Sequence, residues 1–244
     1  MLELIRSSLF YLGYWAAILF YGVLAVLIFP LPIEWRHRIM LQWCSFTIFW
    51  VRITCGVRYR VIGRENMENL QAPYIILSKH QSQWETFILQ ILFFPATTIL
   101  KKELLRIPLF GWGLRHFRPI AIDRSNRKEA LRAVKTGGVA AIERGANVLL
   151  FPEGTRVPPG DRGRYARGGP EIAIESGKQI LPLAHNAGYL WPGKKFVKKP
   201  GLITIKIGEP ISPDGKTSRE LTQEVEDKIE SMMLTLNKPE HGGE

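Results

Sequence analysis

Between Arg6 and Glu34 the chain carries no charged residue, and Leu9 to Phe29 is almost continuously apolar and aromatic. A run of this length can cross the hydrocarbon core of a bilayer as one helix. Its apolar residues surround the whole helix, unlike the single stripe of an ordinary surface helix. It is too long for a signal-peptide core, and no small-x-small cleavage site follows it. Pro30 and Pro32 stop the helix. A second apolar run, Ile39 to Val51, follows Arg36, His37 and Arg38. It is short for a full crossing. It reads either as the second arm of a hairpin lying in one leaflet or as a buried core helix. These runs predict an N-terminal membrane-anchoring element of two helices over residues 1–55 and a catalytic domain over 56–244.

The formal charge is +11, from 33 Lys and Arg against 22 Asp and Glu. Such an excess favours an anionic partner: nucleic acid, an acidic membrane surface or a phosphorylated substrate. Nucleic acid would explain the charge but not the apolar N-terminus, so no nucleic-acid partner is expected. A basic remainder beyond the apolar run argues for the cytoplasmic side of an inner membrane. The two cysteines, Cys44 and Cys55, lie in apolar surroundings and read as buried free thiols. No CxxC spacing suggests zinc.

Past residue 55, short β-rich runs alternate with helical stretches. Strands are predicted at Val57–Ile62, Tyr74–Leu77, Pro119–Ile122, Asn147–Phe151, Ile180–Leu183 and Leu202–Ile207. Ile91 to Leu100 is apolar but interrupted by Pro95. A helix is predicted over Ser125–Arg144, weakened in its middle by Gly137 and Gly138. Thr217 to Glu220 reads as a capping box opening a helix towards Leu236. The alternation predicts an α/β fold with a mostly parallel sheet flanked by helices. Chemistry in such folds gathers at the carboxyl ends of strands.

Two polar clusters sit just past predicted strands. The first, Ser78 to Thr86, holds His80 and Glu85. Histidine can serve as a general base near neutral pH, and a carboxylate can orient it and stabilise its charged form. On a regular helix, five residues turn by about 500°, which would leave the two side chains roughly 140° apart. The pair meets only if His80 lies in the turn before a helix and Glu85 in its first turns. On these residues alone, a surface turn with Glu85 serving a helix dipole explains the segment equally well. No metal is expected, because none of His37, His116, His185 and His241 shows a metal-ligand spacing with this cluster.

The second cluster is Phe151-Pro152-Glu153-Gly154-Thr155-Arg156. Gly154 allows a tight turn and close approach of a ligand. Arg156 offers a planar fork suited to phosphate, and Glu153 is placed to hold that arginine. A plain loop with one solvated arginine is the alternative. Lys101, Lys102, Arg124, Arg164 and Arg167 are further basic candidates. Lys194, Lys195, Lys198 and Lys199 flank Trp191 and Phe196, a mixture suited either to an anionic membrane surface or to a solvated loop.

In combination these motifs form an ordered set. A histidine with an acid five residues on is followed by a Lys-rich run leading to Ile107-Pro108-Leu109-Phe110-Gly111. Phe151 to Arg156 and then Leu181-Pro182-Leu183-Ala184 complete it. Over roughly residues 74 to 192 the set resembles the glycerolipid acyltransferase family, in particular its bacterial 1-acyl-glycerol-3-phosphate branch. The resemblance implies transfer of a fatty acyl group from an acyl-CoA or acyl carrier protein thioester to the free hydroxyl of a lysophospholipid, with no separate cofactor. It implies that His80 takes the hydroxyl proton, Glu85 orients His80, Arg156 and Lys101 hold the acceptor phosphate, and Gly154 with its neighbours Glu153 and Thr155 shapes the substrate pocket. No GxSxG elbow is present, which disfavours a serine acyl-enzyme. One departure stands out: Glu85 occupies a position that is usually aspartate in the family; glutamate keeps the charge, adds a methylene, and can still orient His80 if the backbone retreats slightly. The run from Phe87 to Leu100 reads as an acyl-chain groove or as a core helix. Glycerol-3-phosphate or a lyso-ornithine lipid as acceptor, and a catalytically silent membrane-binding scaffold, remain as rival readings.

Overall fold

The computed structural model describes residues 1–236, so His241 lies outside them. Among the described residues seven strands form one sheet: β1 (Val57–Ile62), β2 (Ile75–Ser78), β3 (Ala96–Lys101), β4 (Ile120–Ile122), β5 (Asn147–Leu150), β6 (Ile180–His185) and β7 (Gly201–Ile207). Their order is β1-β7-β6-β2-β5-β3-β4, and every neighbouring pair is parallel except β6 with β7. The expected mostly parallel α/β sheet is therefore present.

Period-two alternation sends side chains to two cores. Ile76, Leu149, Leu181 and Leu183 face one side and pack with residues of α1 (Leu2–Leu27), α2 (Ile33–Cys55) and α3 (Trp84–Leu92). Ile75, Leu77, Val148, Leu150 and Ile180 face the other and meet α5 (Arg127–Glu143), α6 (Gly168–Ser176) and α7 (Ser218–Leu234). A short α4 (Phe110–Arg115) packs beside α1. The two N-terminal helices thus form part of one layer of the folded unit. The buried residues of α1, namely Ser7, Phe10, Tyr14, Ala17, Ile18, Gly22 and Ala25, recur at helical spacing along its whole length. The opposite face leaves Leu12, Trp15, Leu19, Phe20, Val23 and Leu27 exposed.

Several local expectations need correction. Pro95 separates two elements: α3 ends at Leu92 and β3 begins at Ala96. Phe87, Ile88 and Leu89 are buried in the core, so this part of the run is core helix and does not line a groove. Gly137 and Gly138 leave α5 unbroken. A Cβ at Gly138 would stand 2.3 Å from the Ile172 side chain, so glycine permits α5 to pack closely on α6. Thr217 and Glu220 form the expected reciprocal capping box on α7.

Candidate active site

The parallel strands β2, β5 and β3 end at one edge of the sheet, and both polar clusters emerge there. His80 lies in the connection between β2 and α3, and Glu85 is the second residue of α3. The structure brings the two together: His80 Nδ1 lies 2.9 Å from Glu85 Oε1. The same oxygen accepts the backbone N–H groups of Gln81 at 2.9 Å and Ser82 at 2.7 Å. The connecting turn therefore folds around the carboxylate, and the longer glutamate reaches all three donors from the first turn of the helix. Trp84 and Ile88 are fully buried on either side, which fixes the start of α3.

Glu85 is fully buried. Burial pushes its carboxyl up, but the opposing influence of His185, His80 and the Ser82 amide outweighs it, so Glu85 lies below its ordinary value. It is thus a carboxylate at neutral pH. Its Oε2 meets no donor among the described residues. The His80 ring stacks on Phe151, with centroids 4.1 Å apart. With Nδ1 held by Glu85, Nε2 is the nitrogen left for proton transfer.

His185, at the end of β6, completes the cluster, although in the sequence it stands out only as a residue without metal spacing. Its Nε2 lies 2.8 Å from the Lys79 carbonyl and 3.9 Å from Glu85 Oε1, while its Nδ1 accepts the Ala187 N–H at 3.3 Å. A neutral ring with its proton on Nε2 satisfies both hydrogen bonds. Burial holds the His185 pKa below the ordinary value despite the raising effect of Glu85 and the Lys79 carbonyl. The one signal available in the sequence is its position just past the predicted Ile180–Leu183 strand.

The second cluster follows β5. Gly154 has φ 66° and donates its N–H to the Phe151 carbonyl at 2.9 Å, a turn that favours glycine. Val157 N–H donates to the His80 carbonyl at 2.8 Å, which sets this loop directly against the histidine. Arg156 is exposed and its Nη1 donates to the Gly193 carbonyl at 3.2 Å. Glu153 does not hold Arg156. Its Oε1 pairs with Lys79 Nζ at 2.7 Å and its Oε2 accepts the His80 N–H at 2.9 Å. Its side chain is fully buried, so it turns inward to a buried cation and away from the solvated guanidinium. Thr155 is exposed beside Arg156.

Lys101 is exposed at the end of β3. Thr98 pairs with Leu149, so Lys101 lies on the same sheet edge as the start of the arginine loop, but no contact joins it to Arg156 among the described residues. Its neighbour Lys102 is paired with Asp123. Lys198 is buried rather than available to a membrane surface. Its Nζ donates to Tyr11 Oη and to the carbonyls of Lys195 and Phe196, within a ring of aromatic side chains. Among the described residues no group of three or more His, Cys, Asp or Glu is arranged to hold a metal.

Comparison with known proteins identifies the family and the fold. The model of the acyltransferase family matches residues 58–186. A Pseudomonas aeruginosa 1-acyl-sn-glycerol-3-phosphate acyltransferase is 43% identical over 240 residues, covering 96% of this chain and 93% of that protein. A Saccharomyces cerevisiae protein of the same name is 28% identical over 225 residues, 90% of this chain and 73% of that protein. The crystal structure of the 1-acyl-sn-glycerophosphate (LPA) acyltransferase PlsC from Thermotoga maritima superposes with a TM-score of 0.77 at 24% identity, over 96% of this chain and 95% of that one.

Proposed function

The chain belongs to the acyltransferase family, and from that premise we propose that it transfers a fatty acyl group from a thioester to the free hydroxyl of 1-acyl-glycerol-3-phosphate, giving phosphatidic acid. The observation that carries this reading is the His80–Glu85 pair, set against an exposed arginine loop at the carboxyl edge of the sheet. His80 Nε2 takes the acceptor's hydroxyl proton as the hydroxyl oxygen attacks the thioester carbonyl carbon. Glu85 stabilises the imidazolium as it forms. The C–S bond then breaks, and the proton on His80 passes to the departing thiolate. Atoms and charge balance with no acyl-enzyme and no further cofactor.

Arg156 binds the acceptor phosphate, with Lys101 supplying a second positive charge from the adjoining strand end, and Gly154 and Thr155 border the pocket. The fork of an arginine suits a phosphate bidentately. Residues 1–55 serve as the anchor. A helix packed along its whole length on the catalytic unit has one free face, and that face of α1 is apolar. It is suited to lying in one leaflet with the site at the bilayer surface. The +11 charge favours the anionic cytoplasmic face of the inner membrane.

Purified protein assayed with an acyl-CoA and an acyl carrier protein donor, against lysophosphatidic acid, glycerol-3-phosphate and a lyso-ornithine lipid, tests the assignment. Turnover with lysophosphatidic acid at least tenfold above the others is expected. Preference for the lyso-ornithine lipid would remove the phosphate role of Arg156, and no thioester consumption with any acceptor would reduce the chain to a scaffold.

A further inference from the structure

Lys79 is a buried cation that the chemistry above does not use. Its side chain is 1% exposed, and Nζ meets three acceptors: Glu153 Oε1 at 2.7 Å, Glu230 Oε1 at 2.8 Å and the Asp161 carbonyl at 3.2 Å. Glu230 comes from α7 and also accepts the Tyr165 hydroxyl at 2.9 Å. The second oxygen of Glu153 accepts the His80 N–H. A continuous ionic chain therefore runs from the C-terminal helix through Lys79 and Glu153 to the backbone of His80.

We propose that Lys79 and Glu230 are positioning residues for His80, so that α7 belongs to the catalytic apparatus. The inference rests on the reading of His80 as the base. The backbone around His80 is bonded on every side. Lys79 N–H donates to the Leu183 carbonyl at 3.0 Å, His185 binds the Lys79 carbonyl, Glu153 takes the His80 N–H, and Val157 holds the His80 carbonyl. Of these partners only Glu153 is a buried charge, and a buried carboxylate stays ionised and in place only beside a counter-ion. Lys79 is that counter-ion. Glu230 fixes where Lys79 sits, because a lysine stem with four rotatable bonds would otherwise sample several positions. Glu230 also holds the Asp161–Tyr165 stretch of the arginine loop, through Lys79 and the Tyr165 hydroxyl. The position of the base and the shape of the phosphate loop thus depend on the same contacts.

A displacement of about 1 Å at a reacting group can cost about a hundredfold in rate. For Lys79→Met the expected fall in kcat is of that order, about a hundredfold. For the milder Glu230→Gln it is about tenfold. KM for the thioester should be unchanged within about twofold, while KM for lysophosphatidic acid should rise, because the same contacts hold the arginine loop. Lys228→Ala is the control: Lys228 ties the same helix to Glu209 at 2.5 Å, outside the arginine loop and without touching Lys79, so kcat should be unchanged. The double variant Lys79→Met/Glu153→Gln should recover at least tenfold over Lys79→Met, since a neutral amide accepts the His80 N–H without a counter-ion. If Lys79→Met does not fold, Glu230→Gln and Lys228→Ala decide the matter. Unchanged kcat per folded molecule in Glu230→Gln, or an equal loss in Lys228→Ala, would overturn the proposal, as would failure of the double variant to recover. His80→Ala, run alongside, separates the two claims. An active His80→Ala removes the base assignment itself, whereas an inactive one beside a fully active Glu230→Gln removes only the role of α7.

Discussion

Replacing Glu85 by glutamine isolates the charge at the centre of the site. The amide of Glu85→Gln keeps an oxygen able to accept the Gln81 and Ser82 N–H groups, so the turn survives, but the negative charge 2.9 Å from His80 Nδ1 is lost. At an effective dielectric of about 20, two unit charges at that distance attract by about 6 kcal/mol, an upper bound on what Glu85 gives the imidazolium. General-base effects of about 10² to 10⁴ correspond to about 3 to 5 kcal/mol, within that bound. Glu85→Gln should therefore lower kcat by about 10² to 10⁴ and leave KM for both substrates nearly unchanged. Exchanging charge-assisted hydrogen bonds for neutral ones costs about 1 kcal/mol of stability, partly offset because a neutral amide is easier to bury. The melting temperature should fall by about 2 to 4 °C or less. The assay is steady-state thioester consumption at saturating lysophosphatidic acid, with the folded fraction checked by circular dichroism. A folded Glu85→Gln enzyme within threefold of wild-type kcat would mean that the Glu85 charge does not assist His80.

Other perturbations test separate parts of the account. Arg156→Ala should raise KM for lysophosphatidic acid about tenfold to a hundredfold, the worth of charge-assisted hydrogen bonds, while the thioester KM stays put; a shift confined to the thioester would mean that Arg156 binds the donor's phosphates. The folded pKa of His185 lies below its ordinary 6.5, so the unfolded chain binds a proton there that the fold refuses. Stability should decline as pH falls through that value, with a slope of up to about 1.4 kcal/mol per pH unit per proton. Glu85, lowered from 4.5, adds a second decline below that value, where its stabilising charge is lost. Denaturant titrations at pH 7, 6 and 5 should give a shallower decline for His185→Gln than for wild type, and equal slopes would contradict the assignment. Leu12→Glu/Phe20→Glu, on the exposed face of α1, should weaken flotation with anionic liposomes at least tenfold, since burying one large apolar side chain is worth about 1.5 to 3 kcal/mol; undiminished flotation would exclude that face as the membrane contact.

What could be read directly from the sequence was local. The strands at β2 and β5 are short β-branched or leucine-rich runs that end at polar clusters, so both the sheet and its reactive edge were legible. The five-residue spacing of His80 and Glu85 required a turn followed by a helix, and that is how they meet. What local sequence does not carry depends on contacts distant along the chain. Glu153 looked like a partner for Arg156 three residues away, but it pairs with Lys79 across two strands. Glu230 is 151 residues from Lys79, and nothing in the exposed pattern of α7 marks it. Lys198 belonged to a basic run, yet the aromatic residues of α1 bury it. The short α6 starts Gly-Gly-Pro, a sequence that suggests a loop, and it is helical because it packs between α5 and α7.

In the proposed reaction His80 draws the proton from a lysophospholipid hydroxyl for direct attack on a thioester. Single-turnover formation of phosphatidic acid, with excess enzyme and a radiolabelled acyl thioester, measures that step for wild type and His80→Ala without interference from product release. Product formation should be slowed at least a hundredfold in His80→Ala, with lysophosphatidic acid still bound and no label retained covalently on either protein. Equal single-turnover rates in the two proteins, or an acylated protein preceding product in the wild type, would contradict it.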